Sequence, residues 1–263
     1  MATLATSETG PVHRSVHPYL HPSLDGLVVG FAHRGGTRVA PENTLAAFEH
    51  SRSLGYRYLE TDVHLSRDGT IVAFHDPDLS RTCGVPIVIA DSNWEEISEA
   101  RVGGEHLVPR LDDLLDAFPD CYFNIDTKSD AVVEPLVDTI RRRRLADRVC
   151  IGSFSHRRLT RVRSALGDEV CTSASPLEIA RWVAGRIPTA PDCLQVPIAQ
   201  GPIRIVTERR LRRARAAGKP VHVWTIDDPI EMQRLIDLGV DGIMTDDPTT
   251  LKAVVTANDR WVA

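Results

Sequence analysis

The sequence lacks the marks of several protein classes. Its five cysteines, Cys83, Cys121, Cys150, Cys171 and Cys193, are scattered, odd in number and form no CxxC pair. That argues against a disulfide framework or a zinc knuckle and for a reducing compartment. The first twenty-five residues have no apolar core of a secretion signal. No stretch approaches the roughly 18 apolar residues of a membrane span. There is no excess of positive charge: 31 Lys and Arg stand against 36 Asp and Glu, for a net −5, which leaves no footprint for nucleic acid. No G-x-G-x-x-G follows the first strand-like run, which weakens a dinucleotide reading. There is no close internal repeat and no low-complexity tract. The expectation is a soluble, cytoplasmic protein without an integral membrane segment. A local cluster of cations could still bind a phosphate-bearing small molecule.

What is present is a core-forming composition, 42% hydrophobic over 263 residues, and a regular alternation of short apolar runs with helical segments. The strand-like runs are 27–33, 56–65, 71–75, 122–128, 151–154, 170–173, 193–197, 221–226 and 242–246. Helical patterns fall at 41–55 (stopped by Gly55), 111–118, 130–145, 207–218 and 228–239. The turn SRDGT joins 56–65 to 71–75 as a hairpin. Residues 76–110 read as mostly irregular, with a short helix in DSNWEEISEA opened by an Asp or Ser cap. Repeated β-α alternation implies a parallel sheet with helices outside. Nine strands fit an α/β fold of the TIM (β/α)8 barrel type, with 71–75 as a hairpin arm or as a barrel strand without its own helix. An open doubly wound sheet is the runner-up. Residues 1–26 read as a loosely packed lead-in and 27–263 as a single domain. The run Arg141–Arg144 reads as a solvated helix end where cations face the C-terminal dipole.

Polar residues gather at the ends of these runs, where barrel enzymes keep their chemistry. His33 and Arg34 close the first run; Glu60 and Asp62 lie in the second; His75 and Asp76 close the third. Asp126 and Lys128 close the fourth, Thr225, Asp227 and Asp228 follow the eighth, and Thr245, Asp246 and Asp247 the ninth. Side chains two apart on a strand share a face, so Glu60 and Asp62 converge, as do Asp126 and Lys128. Converging carboxylates need a shared proton or a cation between them, and oxygen ligands favour a hard divalent ion such as Mg²⁺ or Ca²⁺. Arg34 offers a planar fork for phosphate, and Lys128 adds a point charge. His33 and His75 titrate near neutrality and suit proton transfer to and from oxygen. Each element has a bland reading: a histidine after a strand is commonly a structural hydrogen-bonder, Glu-x-Asp a solvated loop entry, Trp224 a core residue. Their joint placement at successive strand ends points to phosphodiester cleavage.

In order, AHRGG, APENTLAAFEHSRSLGYRYLETDVHLSRDGTIVAFHDPDLSRT, VPRLDDLL, NIDTKSD, IGSFS, VHVWTID and GVDGIMTDDP resemble the glycerophosphodiester phosphodiesterase family over roughly residues 27–250. The resemblance implies a phospholipase-C-like TIM barrel that hydrolyses glycerophosphodiesters to glycerol 3-phosphate and an alcohol. It implies His33 and His75 as the acid/base pair, Arg34 on phosphate, and Glu60, Asp62 and Asp126 on one divalent ion. Lys128 and Trp224 would then lie near the substrate, and Glu42 would support the site. The family more often has Glu where this chain has Asp126, a shorter side chain that could reach the ion only through water. The short stretch between His75 and Leu111 leaves no room for a lid domain, so an open site tolerant of varied alcohols is expected. The alternatives are a lysophospholipase D-like or other phosphodiesterase of the same superfamily and a non-catalytic phosphate-binding barrel.

Overall fold

A computed structural model describes residues 16–21 and 27–261. Its main sheet has nine strands: β1 Val29–Ala32, β2 Tyr58–Leu65, β3 Ile71–Ala73, β4 Tyr122–Thr127, β5 Val149–Gly152, β6 Cys171–Thr172, β7 Leu194–Val196, β8 Val221–Val223 and β9 Gly242–Thr245. Eight of them run parallel in the order β6-β5-β4-β2-β1-β9-β8-β7. A parallel bridge between Ser173 and Cys193 joins the two ends and closes the ring. The strand β3 is the exception. It pairs antiparallel with β2, so 71–75 is a hairpin arm and not a barrel stave.

Eight helices complete the units: α1 Leu45–Ser53, α2 Leu111–Ala117, α3 Val133–Arg143, α4 His156–Leu166, α5 Pro176–Val183, α6 Glu208–Ala216, α7 Pro229–Leu238 and α8 Pro248–Ala257. Many begin on a side chain that sequence supplies locally. Thr44, Ser155, Ser175, Thr207, Asp228 and Asp247 each accept a hydrogen bond from an N–H of the first helical turn, satisfying donors that have no partner within the helix. Pro229 and Pro248 stand at the first helical position, where their missing N–H costs nothing. These caps mark where six of the strand-end loops stop.

The main core lies between barrel and helices, with Leu59, Phe123, Leu136, Leu159, Trp182 and Leu235 fully or nearly fully buried. A second cluster fills the barrel, where Tyr58 stacks on Tyr122 at 4.8 Å and Tyr19 meets both edge-on. The lead-in is therefore not loose at Tyr19 and Leu20, which are 1% and 3% exposed; residues 1–15 and 22–26 lie outside the described residues. A third cluster, including Phe74, Leu79, Ile89 and Ile97, sits under the 76–110 segment. That segment is more ordered than its composition suggested. It holds short helices Ser80–Cys83 and Trp94–Ser98 and a small hairpin of Arg101–Val102 with His106–Leu107. The cap of the second short helix is Asn93, whose N–H donates to Glu96, not the Asp or Ser expected.

Candidate active site

The loop after β1 sets the geometry. Arg34 has φ 51°, a left-handed conformation that is costly for a side-chain-bearing residue. It is held there because its own N–H donates to Glu60 (2.9 Å) while its carbonyl accepts from Asn43 N–H (2.8 Å). Gly35 and Gly36 continue the turn at φ 87° and 86°, and a Cβ on Gly36 would stand 2.3 Å from Pro248. The backbone thus turns against α8, leaving His33 at the mouth of the barrel. His33 Nδ1 lies 2.9 Å from Asp246 Oδ1 at the end of β9, and its Nε2 lies 3.9 Å from Glu60. Burial alone would lower the His33 pKa, but the Glu60 charge and the Asp246 hydrogen bond outweigh it and raise it.

Glu60, Asp62 and Asp126 are 4%, 2% and 8% exposed. Asp62 and Asp126 stand opposite each other in register on β2 and β4. Lys128 bridges them, its Nζ 2.8 Å from Asp62 and 2.7 Å from Asp126. Arg34 Nε sits 3.2 Å from the other Asp62 oxygen, to which the Asn43 amide also donates (3.2 Å). Desolvation would raise Asp62, but Lys128 and Arg34 reverse it and hold the carboxyl below its usual range. Burial, with the Asp62 charge beside it, pushes Glu60 to about 7 against the opposing pull of His33 and of the Arg34 N–H. Burial likewise raises Asp126 against the pull of Lys128. Asp126 Oδ1 is buried with no hydrogen-bond partner among the described residues. A carboxylate pushed up to neutrality beside an orphaned carboxylate oxygen is a donor set short of positive charge. Oxygen donors of this kind suit a hard divalent cation, but as they stand Lys128 lies between Asp62 and Asp126 and the three do not gather within 4.8 Å of one another.

His75 follows β3. Its Nδ1 lies 2.6 Å from Asp76 Oδ1, and Asp76 is held at about 2, first by the hydrogen bond from Arg81. Arg81 reaches Glu42 with two nitrogens (2.6 and 2.9 Å), and Glu42 accepts in turn from Arg34 (3.1 Å). A continuous run of alternating charge therefore links His75 to Arg34 and Asp62. Trp224 follows β8 and meets Phe154 edge-on at 5.8 Å.

All the anticipated residues except Glu42 line one cleft of about 730 Å³; Glu42 stands behind Arg34. The sequence reading missed three positioning groups. Asp76 and Asp246 stood among the strand-end acids without a role, yet each holds a histidine. Asn43, in the PENT stretch, ties Asp62 to Thr61, whose hydroxyl donates to its side-chain oxygen (2.8 Å). It also missed that half the cleft is apolar, lined by Phe154, Ile179, Val183, Ile203 and Ile205.

Residues 33–250 match the model of the glycerophosphoryl diester phosphodiesterase family. The chain belongs to that family. A probable glycerophosphodiester phosphodiesterase 2 of Mycobacterium tuberculosis is 38% identical over 244 residues, covering 89% of this chain and 92% of the relative. Among solved structures, a glycerophosphoryl diester phosphodiesterase assignment from Silicibacter pomeroyi superposes with a TM-score of 0.76 at 24% identity, over 92% of this chain and 99% of that one. An Oleispira antarctica phosphodiesterase in complex with the product sn-glycerol-3-phosphate superposes at 0.72 and 22% identity, over 89% and 99%. The structural likenesses establish the barrel. Family membership makes this chain a phosphodiesterase of glycerophosphodiesters.

Proposed function

We propose that the chain, acting through its 27–263 barrel with 1–26 as lead-in, releases glycerol 3-phosphate from glycerophosphodiesters in a divalent-metal-dependent reaction. The observation that carries this is the meeting, at one barrel mouth, of three buried carboxylates with two histidines, each held by an aspartate. Glu60, Asp62 and Asp126 would hold Mg²⁺ or Ca²⁺. When bound, such an ion polarises phosphoryl oxygens. Arg34 and Lys128 draw the phosphate anion and fix its orientation, and Trp224 walls the pocket. Asp246 and Asp76 occupy Nδ1 of His33 and His75, leaving the other ring nitrogen of each for proton transfer, one to the leaving oxygen and one from the attacking oxygen. Glu42 spans Arg34 and Arg81 and so keeps both halves in register. The free state of the described cysteines and the absence, among described residues, of a helix long and apolar enough to cross a membrane support a cytoplasmic location.

The test is glycerol 3-phosphate release from glycerophosphocholine. Activity should vanish with chelator and return with Mg²⁺ or Ca²⁺, and His33→Ala and His75→Ala should each remove most turnover in folded protein. Full activity in chelator would overturn the metal role, and near-normal rates in either variant the acid/base assignment.

The apolar half of the cleft favours a second reading, a lysophospholipid whose acyl chain lies along Ile179, Val183, Ile203 and Ile205. It narrows the expectation of a site indifferent to the alcohol, since selectivity would come from the chain on the glycerol. A higher kcat/KM for lysophosphatidylcholine than for glycerophosphocholine supports it; the reverse removes it.

A further inference from the structure

Below the catalytic carboxylates the barrel interior holds a group of side chains that the hydrolytic reaction does not use. Cys150 is on β5, Cys171 on β6 and Cys193 at the start of β7, and all three are fully buried. Cys150 stands in register with Asn124 and with Cys171, two residues before the Gly152 that pairs with Asp126. The cysteines are thus one inward layer beneath the active site. Far apart in sequence, they are neighbours in space: their three sulfurs lie within 4.8 Å of one another, and Cys150 and Cys193 are 3.8 Å apart. From β8, fully buried His222 stands beside Cys193, just outside the group that the three sulfurs make. Phe31 packs on that ring at 4.8 Å, and a Cβ on Gly242 would meet it at 2.8 Å. Joining the three sulfurs on one ion would take a shift of this ring toward them.

We propose that Cys150, Cys171, Cys193 and His222 form a structural zinc site inside the barrel, separate from the divalent site of the hydrolytic centre. Three thiolates and an imidazole are a donor set for four-coordinate zinc. A Zn–S bond of about 2.3 Å in a tetrahedron sets sulfurs roughly 3.8 Å apart, the separation of Cys150 from Cys193. On binding, the thiols give up their protons to solvent, and with neutral His222 the site carries one net negative charge. A second feature points the same way. Tyr19 Oη is buried without a hydrogen-bond partner among the described residues. After desolvation, the groups acting on it are Cys150, Tyr58, Cys171 and Cys193, so a donor hydroxyl stands beside sulfurs that become acceptors once charged. Each ligand comes from a different strand, and two of them, Cys171 and Cys193, flank the seam where the Ser173–Cys193 bridge closes the ring. Zinc would tie that seam from within.

Growth of the expressing cells in zinc-depleted, cobalt-supplemented medium tests this. The folded full chain should show thiolate-to-cobalt charge transfer in the near ultraviolet and intense visible bands of tetrahedral cobalt. Cobalt on the oxygen ligands of the catalytic site gives only weak bands, so the two sites are distinguishable in one spectrum. Protein from zinc-containing medium should retain one zinc per chain after chelator dialysis removes the catalytic ion. Cys171→Ser should lose both signatures, and His222→Gln should shift the visible bands. If Cys171→Ser does not fold, the wild-type spectrum and zinc content decide alone. Weak bands only, no retained zinc, or a Cys150–Cys193 disulfide in protein isolated without oxidant would each overturn the site and leave the cysteines as packing residues.

Discussion

At the scale of single residues the site is organised by groups that hold other side chains in place. Asp246 holds Nδ1 of His33 and contributes to its raised pKa. Asp246→Asn should lower kcat/KM by roughly 10²-fold to 10⁴-fold, the range general acid–base catalysis contributes. It should also move the His33 limb of the pH–rate profile to lower pH, because a charge that favoured imidazolium is gone. An unmoved limb would mean that Asp246 only supports the fold. Gly36 shows the same dependence in the backbone. At φ 86° with Pro248 2.3 Å from any Cβ, Gly36→Ala should destabilise by about 2–4 kcal/mol and displace His33 and Arg34 with the turn. Urea unfolding and the rate at saturating metal measure the two effects separately.

The elements contribute by where they end. A capping side chain closes each of six strand-to-helix loops, and all of them can be picked out by residue type in the sequence. The periodic helices at 111–118, 130–145, 207–218 and 228–239 appear within a few residues of those bounds. The 41–55 helix starts late, at Leu45, because Asn43 adopts φ 55° to reach Asp62 and Thr44 takes the cap. The 151–154 run is displaced too: β5 is Val149–Gly152, since Ser153 and Phe154 already turn toward the Ser155 cap and Phe154 is exposed to the cleft. The hairpin of Ala199–Gln200 with Ile203–Arg204 drew no prediction. It is short and exposed, and its apolar Ile203 faces the cleft. If the lysophospholipid reading holds, Ile203→Glu should cut kcat/KM for lysophosphatidylcholine at least about tenfold, as one desolvated contact of about 1.4 kcal/mol would, and leave glycerophosphocholine within about twofold. Equal losses on both substrates would place Ile203 outside substrate selection.

For the whole molecule, three acids inside a closed barrel make stability depend on pH and metal together. Glu60 is raised from the usual carboxylate value to about 7 by burial and by Asp62. A raised folded-state pKa gives stability that is complete below the unfolded value and lost as pH climbs through the folded one. His33, also raised, acts in the same sense. Asp62 is lowered, so its contribution is already complete above pH 5. Chelator-treated protein should therefore lose stability between pH 5 and pH 8, by at most about 3 kcal/mol from Glu60 at 1.36 kcal/mol per unit. Added Mg²⁺ or Ca²⁺ should remove most of that loss. Thermal melts at several pH values, with and without metal, check this, and a chelated protein that melts higher at pH 8 than at pH 5 would contradict the assignment.

The sequence by itself determined the parts that depend on near neighbours. Alternation and helix starts followed from residue type and period, and His33, Arg34, Glu60, Asp62, His75, Asp126 and Lys128 could be named because strand ends place them on one face of a parallel barrel. Tertiary structure decided what depends on closure. Asp246 finds His33 across 213 residues, and an arginine, Arg81, joins the two halves of the site through Glu42. Scattered cysteines that showed no metal-binding spacing become a contact group because adjacent staves carry them. Pair spacing along a chain reports only neighbours within an element, whereas a closed ring of strands makes neighbours of residues that share nothing but their height in the barrel.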